Sequence, residues 1–133
     1  MKILWVDDDP MRMDEWMEDL RQHGHTVLDA YNPDEALDHL KTHGKEIQKA
    51  VIDIMLPTGE TYADVDTDSG MRTGYLLAND IRADKDYRHI RVLLLTNKDP
   101  QVVDKELPPN HGFDVLSKYD SDPAEVRAWI EAK

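Results

Sequence analysis

Lys49-Ala-Val-Ile-Asp53-Ile-Met-Leu-Pro57 decides the fold. Ala50, Val51 and Ile52 run apolar without alternation, the pattern of a strand covered on both faces. The run ends in Asp53. A carboxylate closing a buried strand stays hydrated only at the rim of the sheet, where open α/β sheets place their ligand crevices.

Four similar runs flank it. Lys2-Ile-Leu-Trp-Val6 is a first strand and ends in Asp7-Asp8-Asp9-Pro10, with Asp9 as N-cap and Pro10 opening a helix. Met13, Trp16, Met17 and Leu20 recur at helical spacing, and Gly24 stops that helix. His25 to Tyr31 is a second strand. Asn32-Pro33-Asp34-Glu35 reads as N-cap, first helical residue and capping-box acid of a second helix, closed by Gly44. A polar stretch, about 58–73, follows the organising strand. Gly74 to Arg82 is a third helix and Arg91 to Thr96 a fourth strand. Pro100 to Leu107 holds a short helix that Pro108-Pro109 prevents from extending. Phe113 to Ser117 is a fifth strand ending at Lys118, and Asp122-Pro123 opens a last helix bearing Val126, Trp129 and Ile130. Strands alternating with helices predict an α/β protein: a doubly wound five-stranded parallel sheet with helices on both faces.

The totals narrow the class. The chain has 133 residues, 40% apolar and 33% charged, as for one globular domain over 1–133. A net charge of -12 argues against direct binding to nucleic acid or to an anionic membrane. There is no cysteine, which excludes disulfides and thiolate metal sites. No apolar run approaches the roughly 18–20 residues of a membrane span, and Ile3-Leu-Trp-Val6 is too short for a signal peptide. The default location is cytoplasmic. With Met1 almost on the first strand, no N-terminal linker is expected.

In a parallel sheet Asp7, Asp8, Asp53, Thr96 and Lys118 all fall on one rim. Carboxylates gathered there disfavour one another's ionisation, and a divalent cation relieves this. A site with few protein carboxylates suits Mg²⁺ or Mn²⁺, which keep several waters. Such an ion would neutralise a phosphoryl group arriving at Asp53, a residue type known to form aspartyl phosphates. Lys118 can pair with one phosphoryl oxygen and the Thr96 hydroxyl can donate to another. Singly, each residue has a plainer reading: a turn, an N-cap, β-propensity, a solvated lysine. The ordered conjunction at four strand ends favours phosphoryl acceptance.

Those residues carry a resemblance. Ile3-Leu-Trp-Val-Asp-Asp-Asp-Pro10, Val51-Ile-Asp-Ile-Met-Leu-Pro57, Gly74 to Arg82, Leu94-Leu-Thr96 and Leu116-Ser-Lys118 together resemble the receiver domain of a bacterial two-component response regulator, across almost the whole chain. The resemblance implies a flavodoxin-like sheet of order 2-1-3-4-5. It implies that Asp53 is phosphorylated and that Mg²⁺ is held by Asp8 directly, Asp7 through water, Asp53 and the backbone carbonyl of Met55. Thr96 would be the switch hydroxyl and Lys118 the phosphoryl-bridging cation. The donor would be a histidine kinase or histidine phosphotransfer protein, the output a switched surface for a downstream protein. Phosphorylation and dephosphorylation would be largely self-catalysed, so the protein is not an enzyme in the ordinary sense.

Four features depart from the pattern. The link from Pro57 to Gly74 is longer than usual, and loops of that length tend to be functional or disordered. It leaves the active-site strand, so partner choice or shielding of the phosphoryl group is its expected role. Within it Asp64-Val-Asp-Thr-Asp-Ser-Gly70 imitates a calcium loop, but the glycine is one place late and Tyr75 stands where a bidentate glutamate belongs. Tyr119 follows Lys118 where the family has a cis proline; cis before a non-proline residue costs about 2.5–4 kcal/mol, so trans is expected. Val115 occupies the place of a switching aromatic, with Phe113 and Tyr119 nearby. Pro108-Pro109 shortens the fourth helix, part of a face used for dimerisation. Asn97, Lys98 and Met55 lie where variation in the family tunes phosphoryl lifetime.

Two other readings remain beside this one. A receiver-like module that is never phosphorylated would keep the fold and drop the chemistry. An aspartate-nucleophile phosphohydrolase would use Asp7-Asp8-Asp9, but Pro10 follows where threonine or valine is usual and the chain lacks room for a substrate cap. His39 and His43, at i and i+4, read as surface residues rather than a metal site. No output domain is visible, so the chain either signals by binding another protein or is one piece of a longer one.

Overall fold

A computed structural model describes residues 1–132, with backbone alone at 10–12, 100 and 104. The elements in order are β1 (Lys2–Val6), α1 (Pro10–Gln22), β2 (Thr26–Ala30), α2 (Pro33–His43), β3 (Ile47–Asp53), α3 (Thr73–Ala83), β4 (Arg91–Thr96), α4 (Pro100–Glu106), β5 (Asp114–Ser117) and α5 (Pro123–Glu131). The strands form one sheet of order β2-β1-β3-β4-β5, and every pairing is parallel. This is the flavodoxin-like arrangement expected from the sequence.

Alternate strand residues feed two cores. Leu4, Val6, Ala50, Ile52 and Leu94 pack with Ala36, Leu40, Leu77 and Ile81 on the face of α2 and α3. Ile3, Trp5, Val51, Leu93 and Leu95 pack with Met13, Met17, Leu20, Val126 and Ile130 on the face of α1 and α5. Burial of each large apolar side chain contributes about 1.5–3 kcal/mol, which is why the uninterrupted strands sit at the centre.

Local signals set the helix starts. The side chains of Asn32, Asp99 and Asp122 accept from Glu35 N, Gln101 N and Glu125 N, each with proline opening its helix. The Glu35 carboxylate reaches Tyr31 N at 2.9 Å, one residue before the N-cap, a variant of the expected capping box. Gly44 keeps helical geometry (φ -54°) and is needed for space: a Cβ there would lie 2.6 Å from the Tyr87 ring. The fourth helix stops at Glu106, as Pro108-Pro109 requires.

The stretch after Pro57 is a packed loop. The Asp34 carboxylate accepts from Glu60 N and Thr61 N, each at 2.9 Å, and from the Thr61 hydroxyl. Tyr62 is buried and donates to the Asp80 carboxylate on α3. Thr67 is buried and accepts from Gly70 N at 3.0 Å. The loop returns through three successive left-handed residues, Asp68, Ser69 and Gly70 (φ 54°, 56° and 87°). Gly70 fits because a Cβ would meet Leu56 O at 2.8 Å. Among the described residues the loop aspartates form no metal-ligating group, so the calcium-like spacing has no counterpart in space.

Candidate functional site

The sheet order reverses direction between β1 and β3, and the crevice of such a sheet lies beyond the strand ends at that switch point. Asp7 leaves β1 there and Asp53 ends β3. Asp7 N donates to Ala30 O at 2.9 Å, while Asp7 Oδ1 accepts from Asp9 N at 2.9 Å. Asp53 Oδ1 accepts from Met55 N at 3.1 Å. These turns leave Oδ2 of each carboxylate to accept from a third residue. The Lys118 ammonium, brought in from the end of β5, lies 2.8 Å from Asp7 Oδ2 and 2.9 Å from Asp53 Oδ2. Lys118 N donates to Thr96 O at 2.8 Å, which ties the lysine to the end of β4. Among the described residues every peptide bond is trans, so Lys118 reaches both carboxylates with a trans bond to Tyr119, as the residue type predicted.

Asp7, Asp53, Thr96 and Lys118 are buried, whereas Asp8 is exposed. Burial pushes the Asp53 carboxyl up to about 6 against the pull of Lys118. Asp8 is also raised, by the partial desolvation it meets at the crevice although its side chain reaches solvent, and then by the charge of Asp7. Burial works against the charge of Lys118, but Asp53 and Asp7 outweigh it and its pKa rises. Carboxylate oxygens of Asp7, Asp8 and Asp53 lie within 4.8 Å of one another, close enough for one small cation to be held among them directly or through its own waters. Hard oxygen donors, few in number and with one open to water, fit Mg²⁺ or Mn²⁺.

Two cavities adjoin the cluster. One, of about 280 Å³, is lined by Asp8, Met55, Leu56, Pro57, Thr58, Ser69 and Gly70, so the long loop forms one wall beside Asp8. The other, much smaller, is lined by residues that include Ile54, Met55, Arg72, Thr96 and Lys98. The Thr96 hydroxyl oxygen accepts from Lys98 N at 3.0 Å, leaving its own proton free to donate. Met55 is 40% exposed between the two cavities. The aromatic candidates near β5 are unlike each other: Phe113 lies under Arg82 and edge-on to Tyr75, and Tyr119 is 68% exposed.

The site has members that sequence reading did not single out. Gly74 N donates to Ile54 O at 2.8 Å, and a Cβ on Gly74 would lie 1.9 Å from Asp53 O. Only glycine lets α3 begin against the end of β3. Ser69 and Arg72 come from the loop, whose path leaves no periodic trace in the sequence. His39 and His43 are half-buried: His39 contacts Asp29 O at 2.8 Å, and His43 lies 3.8 Å from the Glu46 carboxylate.

No protein-family model and no curated protein matches the chain. Solved structures do. The signal receiver domain of a signal transduction histidine kinase from Syntrophus aciditrophicus is 23% identical, with a TM-score of 0.72, over 98% of this chain and 86% of that one. A CheY-like response regulator receiver domain protein from Methanospirillum hungatei is 23% identical, with a TM-score of 0.69, over 98% and 90%. The BeF3-activated N-terminal receiver domain of Klebsiella pneumoniae RstA is 23% identical, with a TM-score of 0.70, over 98% and 95%. The chain therefore has the fold of a response-regulator receiver domain over nearly its whole length. Among the described residues no helix is long and apolar enough to cross a membrane.

Proposed function

We propose that residues 1–133 form a phosphoacceptor receiver domain and that Asp53 takes the phosphoryl group. The observation that carries this reading is the Lys118 ammonium shared between Asp7 and Asp53 beside a three-carboxylate cluster, on the crevice rim of this fold. An oxygen of Asp53 forms a bond to phosphorus as the bond from phosphorus to the donor's imidazole nitrogen breaks. The nitrogen keeps the electron pair and takes a proton. Asp7, Asp8, Asp53 and the Met55 carbonyl would hold Mg²⁺, which when bound supplies charge neutralisation for the incoming phosphoryl oxygens. Lys118 then moves its hydrogen bond from the Asp53 carboxylate to a phosphoryl oxygen, and the Thr96 hydroxyl donates to another. Thr96 is the proposed switch because it is tied through its carbonyl to Lys118 and lines the cavity beside Met55.

The donor is a histidine kinase or histidine phosphotransfer protein, acting in the cytoplasm, and the output is an altered surface for a downstream protein. Loss of the phosphoryl group is hydrolysis: water bonds to phosphorus and the Asp53 carboxylate leaves with the electron pair. The loop wall beside Asp8 supports a role in shielding the phosphoryl group or choosing the donor. Deleting residues 60–70 is expected to change phosphoryl lifetime or donor preference, and no change in either removes that role.

The test is intact mass after incubation with acetyl phosphate and Mg²⁺. Wild type is expected to gain one phosphoryl group, with none gained by Asp53→Asn or without the metal. A wild type that neither gains a phosphoryl group nor binds beryllofluoride with Mg²⁺ is a binding module with a receiver fold.

A further inference from the structure

Arg72 stands just before α3 and its backbone is held from both sides. Its N–H donates to Thr67 O at 3.0 Å and its carbonyl accepts from Leu76 N at 3.1 Å. Two residues later Gly74 is pressed against the backbone of Asp53 and Ile54. The Arg72 side chain is therefore delivered to the segment that leaves the proposed acceptor. It lines the small cavity that also touches Ile54, Met55, Thr96 and Lys98. Its Nε is buried and has no hydrogen-bond partner.

A buried guanidinium donor without an acceptor is unfavourable. The neighbours do not relieve it. Lys98 is itself a cation, and the Glu106 carboxylate on the same cavity is committed to Lys98 at 3.1 and 3.2 Å. Asp7 and Asp53 share the ammonium of Lys118. Thr96 Oγ1 already accepts from Lys98 N, so Thr96 too presents a donor. Arg72 and Thr96 thus line one cavity beyond the end of β3, each with a donor that no neighbouring acceptor takes. The cavity is lined by Ile54 and Thr96, which directly follow Asp53 and its β4 register partner Leu95, so it lies one residue beyond the acceptor on both strands.

We propose that Arg72 is a phosphoryl-binding residue whose guanidinium contacts the oxygens of the phosphoryl group on Asp53 from the α3 side, as a second cation beside Lys118. The planar fork of arginine matches phosphoryl oxygens in a way a lysine does not. The assignment rests on the phosphoacceptor reading above, and it gives the start of α3 a direct means of sensing phosphorylation.

The test is calorimetric titration of the full chain, first with Mg²⁺ alone and then with beryllofluoride in saturating Mg²⁺. The proteins are wild type, Arg72→Gln, Arg72→Met as a second neutral variant, and Arg72→Lys. Neither neutral variant removes a hydrogen bond at Nε, so both are expected to melt no lower than wild type. Mg²⁺ affinity is expected to stay close to wild type in all four. Beryllofluoride affinity is expected to fall about tenfold or more in the neutral variants, the loss of a charge-assisted contact, and to recover in part in Arg72→Lys. Neutral variants that bind beryllofluoride as wild type does overturn the assignment. So does an equal loss of Mg²⁺ and beryllofluoride affinity, which marks distortion of the whole site. A wild type that binds Mg²⁺ but no beryllofluoride overturns the acceptor reading itself, a result distinguishable from either.

Discussion

Lys118→Met tests the centre of the site. The substitution keeps an aliphatic stem and removes the ammonium 2.8 Å from Asp7 and 2.9 Å from Asp53. The three side chains are 4%, 1% and 5% exposed, so the stranded carboxylates gain no hydration in exchange. Asp53 responds by holding a proton. Its folded pKa, about 6, already lies above the ordinary 3.8, so its ionisation costs stability as pH rises between those values. At about pH 7.5 that cost is about 3 kcal/mol in the wild type, at about 1.36 kcal/mol per pH unit. Without Lys118 the cost cannot exceed that of keeping Asp53 protonated, about 5 kcal/mol at the same pH. Asp53 thus accounts for up to about 2 kcal/mol of added destabilisation, and Asp7 loses a charge-assisted hydrogen bond worth about 1.5–3 kcal/mol.

The expected loss is therefore about 3–5 kcal/mol at about pH 7.5, the range for stripping one partner from a buried ion pair. It should shrink by about 2 kcal/mol at about pH 5.5, where Asp53 is mostly protonated in both proteins. The assay is urea unfolding in EDTA at the two pH values, repeated with Mg²⁺, which is expected to restore part of the loss by binding the folded state. A variant within about 1 kcal/mol of wild type at the higher pH, or equally destabilised at both, refutes the buried bridge.

Other outcomes follow from the same geometry. Asp53 and Asp8 both have raised carboxyls, and each must give up its proton to ligate a cation, so Mg²⁺ affinity should rise with pH through the Asp53 value of about 6 and level off above it. A flat calorimetric profile across that range counts against the shared ligand set. Gly74→Ala puts a Cβ 1.9 Å from Asp53 O, backbone against backbone, and should cost about 3 kcal/mol or more by urea midpoint while weakening Mg²⁺ binding. Wild-type values in both would refute the close approach of α3. Asp34→Ala should abolish amide-exchange protection at Glu60 and Thr61 while leaving strand amides unchanged. The Thr61 hydroxyl and the Glu60 and Thr61 N–H groups hold the Asp34 carboxyl below the ordinary 3.8. The clasp is therefore present above that pH and is lost as acid protonates Asp34 below it.

Whatever depends on local order along the chain was legible in the sequence. The unbroken Ala50-Val51-Ile52 run marked a strand buried on both faces, and it is the central β3. Asn32-Pro33 and Asp122-Pro123 marked helix starts because capping uses residues only a few positions apart. A parallel sheet must bring all its strand ends to one rim, so the order of elements along the chain is enough to gather Asp7, Asp8, Asp53, Thr96 and Lys118 there. Tertiary structure alone decided the rest, because those contacts join groups distant in sequence and leave no period. Lys118 bridges two carboxylates 111 and 65 residues away. The length of the acidic loop left it either functional or disordered; Asp34 and Asp80 hold it down, and it delivers Ser69 and Arg72 to the crevice. Gly74 looked like an ordinary helix start until the backbone of Asp53 was found against its Cα. Periodicity records which face of an element is buried; what that face meets is set by the packing of the whole chain.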